Sequence, residues 1–316
     1  MKKRYLSLLA IFSVSLLAQP DTYGLDDYHK FLSNWLMDKS DYLDKYISEK
    51  NDTKRLSNTR VKVAYEVGVN TSGGFSNNLD FGLSLNLPRF ENKVKLTLNK
   101  VKSAWNALDE NGDVVSNVGL SSKLESDNKY DLMLEYKGHR GKKSSIGLTG
   151  GLRFNKYFFE PYVGLKGKYL VFQRDKDALL LRDKLRFYVA GEIRNTIYSK
   201  YVRDVGKYMQ FGWYGNIDYS IKSDNQDFKT ELLLQRSTNN YSFNRVGFVA
   251  SANLTNFKNF RKQNFETYYK HHDKMLNKDW LYYEITPSVV WKKEDNFKSS
   301  FTLKFKIGAT FGGARK

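Results

Sequence analysis

From about residue 57 to its end, the sequence repeats its chemistry every two residues. "RVKVAYEVGV" sets Val61, Val63, Tyr65, Val67 and Val69 against Arg60, Lys62, Ala64, Glu66 and Gly68. "LDFGLSLNL" sets Leu79, Phe81, Leu83, Leu85 and Leu87 against Asp80, Gly82, Ser84 and Asn86. "FTLKFKIGATF" sets Phe301, Leu303, Phe305, Ile307 and Phe311 against Lys304 and Lys306. The runs "YDLMLEY", "SIGLTGGLRF" and "KLRFYVAGEIR" carry the same pattern. Successive side chains of a strand point to opposite faces, so each run reads as a strand with one apolar and one polar face. Turn signals such as "NTSGG", "SDNQD" and "KEDN" separate them.

The strands are long. Many reach 9 to 11 residues, enough to cross a bilayer at a tilt. A soluble sandwich also alternates, but its strands are usually shorter and its outer face is the polar one. Aromatics lie on the apolar faces near strand ends, at Tyr136, Phe154, Trp291, Phe301 and Phe311, as in the girdles of outer-membrane barrels. The mean hydropathy of -0.60 does not oppose this, because half of each barrel strand faces the lumen. Lipid offers no partner to an open sheet edge, so the sheet must close. The expected fold is therefore all-β: a closed antiparallel transmembrane β-barrel with an even strand number, about 12 to 14. Residues 256–276 give the weakest strand signal. Pro287 falls within a strand and predicts a bulge or bend. "PRFEN" (88–92) suits a periplasmic turn and "AWNALDENGDVVSN" (104–117) an outer loop.

The chain begins with Lys2, Lys3 and Arg4, an apolar run from Tyr5 to Leu17, and Ala18, which reads as a signal peptide over 1–18. Residues 19–54 form an acidic amphipathic helical segment, either periplasmic or a plug; residues 55–316 form the barrel. Leu25, Tyr28, Leu32, Trp35 and Leu36 recur at helical spacing, and Ser40 suits the cap of a second short helix. Residues 21–50 hold seven acidic and four basic side chains. The chain has no cysteine, which excludes disulfides and a lipoprotein anchor.

"KDWLYYEITPSVVWKKEDNFKSSFTLKFKIGATFGG" (278–313) resembles the end of an uncharacterised family of proteobacterial outer-membrane β-barrels. The likeness rests on Trp280, Leu281, Tyr282, Tyr283, Glu284, Pro287, Trp291, Phe311 and Gly312. "LDFGLSLNLPRFENKVKL" (79–96) and "RLSNTRVKV" (55–63) resemble the same family. The resemblance implies a fold and a bacterial outer-membrane location, and no activity. Barrels of this kind commonly end on an aromatic residue, whereas here "GGARK" follows Phe311.

The net charge is +18, yet export makes nucleic acid an unsuitable partner. By alternation, Arg60, Lys62, Glu66, Lys95, Arg153, Lys166, Lys168, Lys184, Arg186, Glu192, Arg194, Glu284, Lys304 and Lys306 face the lumen, eleven cations to three anions. That surplus points to a channel or selective porin favouring small anionic solutes, with the N-terminal helix as a candidate plug. The alternative for each charge is an ion pair that fills a narrow barrel, with Glu284 the clearest case. A second reading is a structural or assembly barrel whose helix binds an envelope partner. A third is a lipid hydrolase; it has only four histidines to draw on, and His271 and His272 point to opposite faces of any strand. No cofactor is expected. Expected partners are outer-membrane lipid, the assembly machinery, and lipopolysaccharide phosphates at "HRGKK" (139–143), placed in an outer loop.

Overall fold

Fourteen strands form one closed antiparallel barrel in the computed structural model, each paired with its sequence neighbours and the last with the first. Described are residues 24–48, 59–71, 73–87, 94–101, 129–141, 143–154, 159–222, 225–238, 241–255 and 259–312. The strands are β1 (Arg60–Asn70), β2 (Phe75–Leu87), β3 (Val94–Val101), β4 (Lys129–Arg140), β5 (Ser144–Phe154), β6 (Phe159–Gln173) and β7 (Asp177–Tyr188). There follow β8 (Ile193–Gly206), β9 (Met209–Ser220), β10 (Asn225–Ser237), β11 (Phe243–Thr255), β12 (Asn259–Met275), β13 (Lys278–Lys292) and β14 (Ser299–Gly312). Among the described residues one helix, α1 (Leu25–Ser48), precedes them.

The barrel is inverted relative to a soluble protein. Glu266, Lys270, Glu231 and Glu284 are buried, while Phe159, Phe75 and Val163 are 73%, 67% and 64% exposed. Strand parity explains both sets: Glu66, Lys306 and Glu284 stand in register across β1, β14 and β13, and Val67, Phe305 and Ile285 stand in register one position on. Only a surrounding apolar medium makes exposure of the second set favourable.

Strand β12, the run with the weakest alternation, is the longest at 17 residues. Its inward face carries Glu266, Tyr268, Lys270 and His272, its outward face Phe265, Thr267, Tyr269 and His271. Polar and aromatic groups on both faces blur the period without preventing pairing. Pro287 produces no register shift. Pairing with β12 lapses opposite Thr286 and Pro287 and resumes in the same register, while Pro287 still stands opposite Leu303 of β14. The missing N–H interrupts one ladder locally.

Alternation of strand direction puts the β4–β5 turn at the end that carries β1's start and β14's finish. The outer-loop placement of "HRGKK" is thereby corrected: His139 and Lys143 flank a tight turn on the side of the chain termini. Residues 1–18, expected to be a signal peptide, "PRFEN" and "AWNALDENGDVVSN" lie outside the described residues.

Candidate functional site: two charged walls of the lumen

One wall spans β4 to β9. Arg186 lies 3.1 Å from Asp131, whose other oxygen accepts the Tyr162 hydroxyl at 2.6 Å. Arg153 and Arg186 both donate to the Tyr188 hydroxyl, and Arg153 sits over that ring at 4.1 Å. Arg153 also approaches Glu160 at 3.5 Å and Glu192 at 3.8 Å. Lys166 pairs with Glu135 at 2.7 Å and Arg194 with Asp218 at 2.6 Å. The inward residues of β6 to β8 set like charges directly opposite each other: Lys168 with Arg182, Lys166 with Lys184, and Arg186 with Arg194.

The second wall centres on β13 and β14, seven places around the ring from β6 and β7. Lys306 meets Glu66 at 3.0 Å, Glu284 at 3.6 Å and Asp80 at 3.7 Å. Glu284 also lies 3.6 Å from Lys270 and 3.2 Å from His272 Nδ1. The neighbours of Lys306 are thus barrel-wall carboxylates, and Lys304 is buried on the same face. Three tyrosines fill space beside glycines: Tyr268 stands opposite Gly247, Tyr282 opposite Gly308, and Tyr162 opposite Gly151.

Every candidate on a strand sits on the inward face. Arg60 and Lys62 are at the terminal end of β1, Lys95 on β3, and Glu192 precedes β8. What the sequence-based selection omitted are the carboxylates Asp80, Asp131, Glu135, Glu160, Asp218, Glu231 and Glu266. The same two-residue parity marks them. Distance across the curled sheet does not appear in the sequence, so Asp131 could not be matched with Arg186 three strands away.

Helix α1 is continuous from Leu25 to Ser48, so Ser40 caps nothing; its hydroxyl accepts from Thr59 Oγ1 at 2.5 Å. Contacts along the helix advance across the strand ends. Asp26 takes Lys278 and, at 3.1 Å, Trp280 Nε1 of β13. His29 stacks on Trp280 at 4.4 Å and donates to the Thr310 carbonyl of β14 at 2.9 Å. Ser33 Oγ accepts the Gly312 N–H at 3.1 Å, and Ser40 reaches Thr59 ahead of β1. The helix therefore runs tangentially along the rim.

Lys278 first, and then Trp280, hold the Asp26 carboxyl below its ordinary value. A lowered folded-state value stabilises docking above the ordinary carboxylate range and loses that contribution as pH falls through the lowered value. Hydrogen exchange of residues 25–42, corrected for intrinsic rates, should quicken selectively in acid. Asp26→Asn should show the fast exchange already at neutrality; unchanged protection would remove Asp26 as the fastening group.

No protein-family model matches the chain, and no curated protein matches it. Solved structures do. A loop L8 deletion mutant of OmpT, an outer membrane protein of Vibrio cholerae, matches at 7% identity and TM-score 0.50, over 81% of this chain and 99% of that one. Pseudomonas putida OprB matches at 12% identity and TM-score 0.45, over 81% and 92%. The outer membrane channel DcaP of Acinetobacter baumannii matches at 9% identity and TM-score 0.44, over 81% and 97%. At such identities the likeness concerns the fold. With the closed ring, the match at TM-score 0.50 shows the fold, a closed antiparallel β-barrel.

Proposed function

We propose that the protein is an outer-membrane channel favouring small anionic solutes, exported by residues 1–18 and embedded by the fourteen-strand barrel. The observation that carries this reading is the row of opposed cations on β6 to β8. Like charges directly across a strand pair are destabilising, and three such pairs occur side by side: Lys168 with Arg182, Lys166 with Lys184, Arg186 with Arg194. Wall carboxylates offset part of that repulsion, and a phosphate or carboxylate in the lumen would offset the remainder. The resemblance of residues 278–313 to an uncharacterised family of outer-membrane barrels supports the same location. The rim contacts of α1 support a peripheral helix over a plug. A lipid hydrolase draws no support from Ser33 and His29, 3.4 Å apart. The same Nε2 must donate to the Thr310 carbonyl, so it is not free to take a serine proton.

Planar-bilayer recording in a salt gradient tests the proposal. The wild type should conduct with a reversal potential on the anion side, and Lys168→Glu with Arg182→Glu should move it several-fold toward cations. A cation-selective wild type, or an unmoved potential in the variant, overturns the anion reading. Absence of conductance overturns the channel.

A further inference from the structure

We propose that α1 is a membrane-interface belt: its outer face lies in the periplasmic leaflet of the outer membrane, beside the barrel wall. On a helix of ~3.6 residues per turn, His29, Ser33, Met37 and Ser40 share one side, and these are the groups docked on the rim or buried. Tyr28, Phe31, Trp35 and Tyr42 fall on nearly the opposite side and are 48%, 66%, 50% and 64% exposed. Asp27 and Asp41 form a narrow acidic strip between the two. A helix wholly in water would not present four aromatics outward.

What covers that stripe follows from which side of the barrel the helix occupies. Register places Val61, Leu85 and Phe311 on the outward, lipid-side face. Val61 and Leu85 are nevertheless buried, whereas Tyr65, Val69 and Leu79 on the same faces farther from the rim are exposed. His29 stacks on Phe311 at 5.4 Å, and α1 contacts both β14 and β2. The helix thus starts at Lys278 and Trp280, which share the inward parity of Glu284, and passes to the outside of the strand ends at Phe311, Val61 and Leu85. With its docked side against the wall, its far side points radially away from the barrel, as the lipid-facing side chains do. The acidic strip remains for periplasmic water. Tyrosine and tryptophan suit that depth, since their rings are apolar and their N–H or O–H tips need water or headgroups.

The chain has no cysteine, so Phe31→Cys and Asp41→Cys each give a single nitroxide site in the full-length protein. In phosphatidylethanolamine vesicles containing phosphatidylglycerol, the label at position 31 should collide readily with oxygen and poorly with a water-soluble nickel complex. The label at 41 should do the reverse. As a second readout, the difference between wild type and Trp35→Phe isolates Trp35 among the five tryptophans. Its emission should be quenched at least about twofold by lipids brominated near the headgroup. Nickel accessibility at 31 equal to that at 41 overturns the proposal. So does a Trp35 signal quenched by aqueous iodide and not by brominated lipid. A stripe shielded from both quenchers is covered by protein, a second copy or a periplasmic partner, and that outcome overturns it as well.

Discussion

Replacing Glu284 by alanine is expected to lower barrel stability by about 3 kcal/mol, read as a fall in the temperature at which the folded gel band converts to the unfolded one. Glu284 is the shared partner of Lys270, Lys306 and His272, at 3.6, 3.6 and 3.2 Å. Lys306 keeps Glu66 and Asp80 after the change. Lys270 is in a different position: its side chain is 2% exposed, and the substitution strips the carboxylate facing it. Removing one member of a buried pair costs far more than the pair itself is worth, because the survivor is left desolvated and uncompensated. The double variant Glu284→Leu with Lys270→Met removes both charges and should recover most of the loss. If Glu284→Ala behaves as wild type, lumen water already hydrates Lys270, and the β13–β14 wall is wetter than its burial implies.

Gly247→Val should abolish assembly or cost more than about 3 kcal/mol. A Cβ at Gly247 would stand 2.4 Å from the ring of Tyr268, well inside any permitted contact. Tyr268 is buried, and its hydroxyl is tied to Glu231, so the ring has nowhere to retreat. Gly308 under Tyr282 and Gly151 under Tyr162 repeat the arrangement, with Cβ contacts of 2.3 and 2.6 Å. Gly150, with nothing within 4 Å of its Cβ position, is the control, and Gly150→Val should fold in normal yield. The yield of heat-modifiable protein after refolding into detergent reads both. Equal yields for the two valine variants would show that the tyrosine cover is not a packing requirement.

Much of this architecture is legible in the sequence. The two-residue period assigns Phe305 and Lys306 to opposite faces whatever their partners are. The absence of an unpaired edge in lipid then dictates closure of β14 on β1. The period is weakest on β12, whose outward face mixes Phe265 and Tyr269 with Thr267 and His271, yet the strand forms. Helical spacing detected α1 but divided it at Ser40, because a hydroxyl that bonds Thr59 carries the same sequence signature as a cap. Parity also points Lys304 and Lys306 into the lumen but leaves an ion pair, a passing anion or an acidic plug as their counterpart. For Lys306 the structure supplies Glu66, Asp80 and Glu284.

The sequence by itself determined the faces of the strands and their number to within a pair, since these depend on local backbone geometry and on the surrounding solvent. Only the tertiary structure decided which charges meet. Asp131 and Arg186, or Glu231 and Tyr268, are brought together by the curl of the sheet, which lets side chains on non-adjacent strands converge across its concave face. It also decided that α1 lies along the rim. That position follows from Asp26, His29, Ser33 and Ser40 finding donors and acceptors at strand ends that become neighbours only once the ring has closed.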